Sequence, residues 1–80
     1  MNARVILPAA LCGLLRSELE RTICESALSK DDSLIAQRYL VEKVAQIDIA
    51  AELGWERATV SRHLKYILPS VEKVAHKLYS

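Results

Sequence analysis

Apolar residues recur along most of the chain at the three- and four-residue spacing of amphipathic helices. The sequence has no sustained alternation of apolar and polar residues, and no Asn-Gly or Asp-Gly pair of the kind that closes a β-hairpin. The pattern therefore predicts an all-α protein. Its first helix is expected to run from Pro8 to about Leu28, because proline suits the first turn of a helix.

Polar breaks and helix-stopping residues delimit the second and third predicted helices. The polar stretch 29–33 offers Asp31 or Asp32 as the N-cap of a second helix that runs to about Glu42. A third helix is predicted from about 45 to 53. It ends at Gly54, because glycine readily takes the left-handed conformation found after helix C-termini.

Pro69 separates the last two predicted helices, which cover about 57–67 and 69–80. Proline cannot continue a helix without losing a backbone hydrogen bond. The chain has no internal repeat, low-complexity tract or long linker, so we expect one small domain of about five helices over 1–80. Its parts would be an N-terminal helix at 1–28, a core at 31–67 and a C-terminal helix at 69–80.

The spacing of small and apolar residues around Gly54 is typical of a helix-turn-helix. Ala50 is small where two helices would cross closely, Gly54 allows the tight reversal, and Val60 would pack the second helix onto the first. The remaining core positions of this motif are Ile49, Leu53, Leu64 and Ile67. Because the second helix of such a motif lies in the DNA major groove, the sequence predicts binding to double-stranded DNA. An ordinary helical hairpin with a solvated basic face is the alternative.

One face of the second helix of this motif is predicted to point away from the core, at about 100° per residue. Its side chains suit base edges: arginine for guanine, hydroxyl groups for adaptable contacts and alanine for the thymine methyl. These candidate base contacts are Arg57, Ala58, Thr59, Ser61 and Arg62. Candidate phosphate contacts, which position a protein without reading sequence, are Gln46, Lys65 and Tyr66.

The segment from about Ile35 to Leu68 resembles the fourth region of bacterial sigma factors and the related domains of small response-regulator and phage proteins. The resemblance is carried by Arg38-Tyr39, Gln46, Ile49-Ala50, Glu52-Leu53-Gly54, Thr59-Val60-Ser61-Arg62 and Leu64-Lys65. It implies that the second helix reads a promoter element, with DNA-facing positions at Arg57, Ala58, Ser61, Arg62 and Lys65. The sequence departs from the pattern at two positions, since Ala45 and Glu56 stand where small or hydroxyl capping residues are usual.

The charge distribution changes the picture that the net charge alone would suggest. The chain has 11 Lys and Arg against 10 Asp and Glu, a net charge of +1 that by itself disfavours a nucleic-acid binder. However, residues 17–54 carry four basic and eight acidic residues, whereas residues 55–80 carry five basic and two acidic ones. Positive charge therefore collects with the DNA-facing helix. Because the total charge is low, we expect weak non-specific binding and affinity that depends on the right sequence.

Other chemistry finds little support in the sequence. His63 and His76 have no Cys or carboxylate at metal-ligand spacing, and there is no phosphate loop or nucleophile elbow, so we expect no enzyme activity, metal or cofactor. His63 is expected to be packed or close to a phosphate, and Cys12 and Cys24 to be buried. The longest uncharged run, 5–15, is too short to span a bilayer and reads better as part of a helix than as a signal peptide, which indicates a cytoplasmic protein.

Three functions follow from these features. The leading one is a small bacterial or phage transcription regulator that binds DNA as a homodimer, since a lone helix-turn-helix contacts few base pairs and a small domain has a marginal core. The candidate dimer contacts are Leu11, Leu14, Leu15, Val71, Val74 and Leu78, unless they close the core of a single chain.

The second possible function is that of an accessory protein, such as part of a split sigma factor or a phage protein that binds RNA polymerase or another host complex. A complete sigma factor is not expected, because the chain has no Phe, one Trp and three Tyr and so lacks an aromatic-rich promoter-melting region. The third function is the DNA-recognition subunit of a recombinase or terminase.

Overall fold

The computed structural model describes residues 9–79. Over that range the chain forms one helical turn, followed by four longer helices and no strand, so the predicted all-α class is confirmed. The elements are α1 (Ala9–Cys12), α2 (Arg16–Glu25), α3 (Lys30–Ala36), α4 (Gln46–Leu53) and α5 (Arg57–Tyr79). α3 continues directly into a π-helical turn at Gln37–Val41.

The single N-terminal helix predicted from Pro8 to Leu28 is divided in two. The chain leaves helical geometry at Gly13 and resumes it in α2. A carboxylate oxygen of Glu18 accepts a hydrogen bond from the backbone N–H of Leu15 (2.8 Å), which satisfies a donor that the start of α2 would otherwise leave free. The apolar periodicity of this segment did not reveal the break. Pro8 lies outside the described residues.

Ser29, and neither of the two aspartates, is the N-cap of α3. Its hydroxyl accepts a hydrogen bond from the backbone N–H of Asp32 (3.3 Å). Asp31 and Asp32 both lie in the first turn of the helix, where negative charge interacts favourably with the helix dipole. The prediction that one of them would be the N-cap was therefore wrong by two or three positions.

α5 passes through Pro69 without ending, so the predicted fourth and fifth helices form one helix. Proline removes the backbone hydrogen bond to the carbonyl of Lys65, but both residues are exposed and water can bind that carbonyl. On the opposite face, Leu68 and Val71 are buried on either side of the proline. Their burial holds the helix together across the missing bond. With one predicted helix divided and two joined, the expected set of five helices was wrong.

α5 is the central helix of the fold, since it packs against α1, α2, α3 and α4. Its core-facing side chains are Val60, Leu64, Ile67, Leu68, Val71 and Ala75. They form one cluster with buried side chains from the other elements, namely Leu11, Leu19, Ile23, Ile35, Ala36, Leu40, Val41, Ile49 and Ala50. A single contiguous cluster of this kind is typical of one domain.

The candidate dimer contacts differ in how far this packing buries them. Leu11 and Val71, two of the candidate dimer contacts, are buried in the core of the same chain and cannot meet a second copy without unpacking it. Leu15 is 67% exposed, and the half-buried dimer candidates are Leu14, Val74 and Leu78. Within the described residues, no helix is long and apolar enough to cross a membrane.

Cys12 and Cys24 are exposed free thiols, so their predicted burial was wrong. The buried face of α2 is formed by Leu19, Thr22 and Ile23. At about 100° per residue, Cys24 follows Ile23 onto the solvent side of the helix. The prediction assumed one long helix, so it could not assign the buried and exposed sides of α2 correctly. The chain is in fact interrupted before α2 begins.

Candidate nucleic-acid interface

Three residues, Gly54, Trp55 and Glu56, connect α4 to α5. Gly54 has φ 73° and ψ 28°, so its predicted left-handed conformation is confirmed. The N–H groups of Gly54 and Trp55 donate to the carbonyls of Ala51 (3.3 Å) and Ala50 (2.8 Å), which closes the end of α4. A methyl group added at Gly54 would meet no atom within 4 Å, so the backbone angle, and not lack of space, favours glycine here.

The inward faces of α4 and α5 are those that the sequence predicted. The fully buried positions of the predicted motif core are Ile49, Ala50, Val60, Leu64 and Ile67. Leu53 is half-buried and packs against the same cluster, as does Trp55 from the turn. The 3.6-residue period was sufficient here because each of these helices meets the core on one side only.

The opposite face of the first turns of α5 is open to solvent. Arg57, Ala58, Arg62 and Lys65 are exposed, with Thr59 and Ser61 half-buried beside them. The guanidinium of Arg62 donates to the Thr59 hydroxyl (3.3 Å). Within residues 9–79, no carboxylate lies at ion-pair distance from Arg57, Arg62 or Lys65. This face therefore presents three positive charges that no carboxylate of the described residues pairs.

Arg38, in contrast to these three cations of α5, forms ion pairs with carboxylates of the same chain. Its guanidinium binds both carboxylate oxygens of Glu52 in α4 (3.0 and 3.1 Å) and one oxygen of Glu42 (2.7 Å). The hydrogen bonds that Arg38 donates to Glu52 raise the pKa of Arg38, and the same bonds lower the pKa of Glu52. Arg38 thus connects the π-helical turn to α4 and offsets two acidic residues of the middle segment.

A polar and aromatic cluster that the sequence did not predict lies at one edge of the exposed face of α5. Asp32, which is only 7% exposed, extends from α3 toward His63 and Tyr66. One carboxylate oxygen lies 2.8 Å from His63 Nδ1, and the other accepts a hydrogen bond from the Tyr66 hydroxyl (2.8 Å). The Tyr66 hydroxyl also lies 2.7 Å from His63 Nδ1. The Trp55 ring packs against the His63 ring, with the two ring centroids 4.9 Å apart.

The hydroxyl of Tyr66, a predicted phosphate contact, is already hydrogen-bonded within the chain. Burial raises the pKa of its hydroxyl, and the hydrogen bond and negative charge of Asp32 raise it further. The phenol keeps its proton and directs it to Asp32. Although Tyr66 is 49% exposed, its one donor would have to leave Asp32 before it could bind a phosphate.

The other two candidate phosphate contacts occupy different environments. Lys65 is exposed one turn beyond Ser61. Gln46 is half-buried at the first position of α4, and its side-chain oxygen is buried without a hydrogen-bond partner among the described residues. Of the two, Lys65 has the freer access to a ligand in solution.

The structure brings together no ligand set for a metal in the part of the chain that it describes. Comparisons with protein-family models, with curated proteins and with solved structures find no match to this chain. A small all-α fold by itself is compatible with many activities.

Proposed function

We propose that this protein is a small transcription regulator that binds double-stranded DNA sequence-specifically through a helix-turn-helix formed by α4 and α5. The contrast between the two faces of α5 carries the proposal. One face is anchored in the core by fully buried side chains, and the other exposes Arg57, Arg62 and Lys65 without carboxylate partners among the described residues. A rigid helix with one free basic face fits the major groove.

The side chains on the free face divide into base and backbone contacts. Arg57 and Arg62 each present a guanidinium that can donate two hydrogen bonds to guanine O6 and N7. Ala58 suits a thymine methyl, and the hydroxyls of Thr59 and Ser61 suit either a donor or an acceptor. Lys65 lies farther along the helix, where an ammonium group would meet phosphate. Gln46 at the start of α4 is proposed as a second backbone contact.

The charge pattern supports binding that depends on sequence. The acidic middle segment would repel phosphate, but Glu42 and Glu52 are engaged by Arg38, so part of that negative charge is offset. Glu56 remains exposed at the start of α5, next to Arg57. We expect this carboxylate to weaken non-specific attraction to the backbone, so that base contacts contribute more of the selectivity.

The proposal includes pairing of two copies on DNA and a cytoplasmic location. One helix-turn-helix reads few base pairs, and two copies would read half-sites about one helical turn apart. Leu15, which is exposed whereas the other five dimer candidates are buried or half-buried, is the proposed contact for this pairing. In the cytoplasm, where bacterial and phage genes are transcribed, exposed thiols such as Cys12 and Cys24 stay reduced.

Selection of bound duplexes from a random pool, followed by sequencing, tests the proposal. The parent protein should enrich a consensus, in inverted-repeat form if two copies bind. Arg57→Ala/Arg62→Ala should abolish the enrichment. Lys73→Ala/Lys77→Ala is the matched control, because it removes the same charge from exposed positions at the far end of α5 and should leave the consensus intact.

The alternative functions give different results in the same experiment. Enrichment only after RNA polymerase is added would favour an accessory protein. Enrichment only with a large catalytic chain would favour a subunit of a recombinase or terminase. No enrichment under any of these conditions would contradict the DNA-binding proposal.

A further inference from the structure

The Asp32 contact determines which nitrogen of His63 carries hydrogen. A buried carboxylate can only accept, and Asp32 lies 2.8 Å from Nδ1, so Nδ1 must carry the proton of that bond. The second nitrogen, Nε2, lies on the opposite side of the ring. The His63 side chain is 29% exposed, against 10% for that of Asp32. Because Nδ1 of His63 is bound to the buried carboxylate, Nε2 is the ring nitrogen that can bind a ligand outside the core.

His63 lies at the border of the free basic face of α5. It follows Arg62 directly, about 100° farther around the helix, and comes one turn after Thr59. It is therefore neither among the core residues of α5 nor at the centre of the exposed face. When a helix occupies the major groove, the two borders of its exposed face are the parts that approach the phosphates flanking the groove.

We propose that His63 is a further DNA-backbone contact, in which the protonated ring, oriented by Asp32 through Nδ1, donates an Nε2–H hydrogen bond to a phosphate oxygen. This inference rests on the proposed function and names a residue and a ligand class for it. Asp32 acts through His63 and is a positioning residue. The same arrangement explains why an acidic residue can stand next to a DNA-binding face without repelling the backbone.

The groups around His63 suit a protonated ring. From α3, Asp32 contributes a negative charge that offsets the positive charge of the ring. From α5, Tyr66 is a neutral phenol, and Trp55 of the turn is uncharged. Lys30 and Asp31, which flank Asp32 in the first turn of α3, are exposed and carry opposite charges. Of the three side chains that these contacts place against the ring, only Asp32 carries a charge.

The proposal predicts that one phosphate contact depends on pH. Binding of the full chain to its selected duplex would be measured against salt concentration at about pH 5.5 and about pH 7.5, because the lower pH favours the protonated form of a histidine ring. The slope of log K against log salt should be steeper at the lower pH by about 0.9, the value for one additional phosphate contact. His63→Gln should remove this difference. The variant should show, at both pH values, the slope that the parent has at the higher pH.

His76 provides the matched control. It is the other of the two histidines of the chain and lies exposed in α5, 3.8 Å from Glu72. His76→Gln should leave the pH-dependent slope unchanged. If His63→Gln does not fold, as judged by circular dichroism, His76→Gln still decides the question. A difference that persists there excludes His76 as its source and supports His63, and a difference that disappears overturns the inference.

The remaining outcomes separate this inference from the proposed function. Binding with the same slope at both pH values, or a slope difference that survives in His63→Gln, overturns the role of His63 and leaves the helix-turn-helix proposal in place. Failure of the parent to bind any selected duplex at either pH overturns both.

Discussion

The carboxylate of Asp32 lies 2.8 Å from Nδ1 of His63, although 31 positions separate the two residues along the chain. This contact joins the first turn of α3 to the exposed side of α5. The Tyr66 hydroxyl binds the second oxygen of the same carboxylate, so a buried acceptor is satisfied by donors on two successive turns of α5. The link therefore connects α3 to α5 next to the position of Arg62.

Asp32→Ala should lower the free energy of unfolding by about 1–3 kcal/mol, because it leaves two donors without their acceptor. Tyr66→Phe removes one donor and should have a smaller effect, about 1 kcal/mol. Urea denaturation of both variants and of the double variant measures their coupling, expected at about 0.5–3 kcal/mol. Asp31→Ala is the control, since Asp31 is exposed in the same turn and should change stability by less than about 0.5 kcal/mol. Strictly additive losses would contradict a direct link.

Gly54→Ala should destabilise the protein by about 1–2 kcal/mol, because an L-residue is disfavoured by that amount in the left-handed region. Steric contact does not contribute, since an added methyl meets nothing within 4 Å. Gly13→Ala is a close control: that glycine is equally free of neighbours but is not among the residues with positive φ. Thermal or urea unfolding should therefore distinguish the two variants, and equal losses would show that φ at Gly54 is not the cause.

The N-caps of α3 and α4 should respond to substitution in opposite directions. Ser29 accepts a hydrogen bond at the start of α3, whereas Ala45 at the start of α4 has no side chain that can do so. Ser29→Ala should therefore lower the free energy of unfolding by about 1 kcal/mol, and Ala45→Ser should raise it by a similar amount. Denaturant midpoints measure both changes. A loss of stability in Ala45→Ser would mean that the start of α4 differs from that described.

Sequence periodicity was sufficient for the faces of α4 and α5. Val60, Leu64 and Ile67 repeat at helical spacing, and a glycine with an obligatory left-handed conformation marks the turn. Such signals are local, because a helix and its cap are determined by residues within a few positions of each other.

The features that the sequence did not predict depend on tertiary contacts. Pro69 reads as a helix end, but burial of Leu68 and Val71 outweighs one lost hydrogen bond on the solvent side. No local sequence pattern indicates the contact between Asp32 and His63, because α3 and α5 meet only after the chain folds. The hydrogen bond from Tyr66 to Asp32 was missed for the same reason: the exposure of Tyr66 was predicted, but its partner was not.

Glu52 should make stability fall at acidic pH. Its pKa is lowered from the ordinary 4.5, mainly by the hydrogen bonds from Arg38. A carboxyl group with a lower pKa in the folded state stabilises that state above its unfolded pKa, and the contribution disappears as pH falls through the folded pKa. Glu52→Gln should therefore show a weaker loss of stability than the parent between about pH 5 and the acid range. Chemical denaturation at a series of pH values measures this, and parallel curves for the two proteins would contradict the assignment.

Arg62 and Lys65 should affect DNA binding in different ways, although both are exposed cations on the same face of α5. If Arg62 reads a guanine, Arg62→Ala should remove about 1–3 kcal/mol of discrimination at one base pair of the selected site. If Lys65 binds phosphate, Lys65→Ala should weaken all duplexes alike and reduce the salt slope by about 0.9. Titration of the consensus and of single-base variants at several salt concentrations measures both effects, with Lys77→Ala as a control for the loss of one charge. Binding by both variants that matches the parent would show that the exposed face of α5 does not contact DNA.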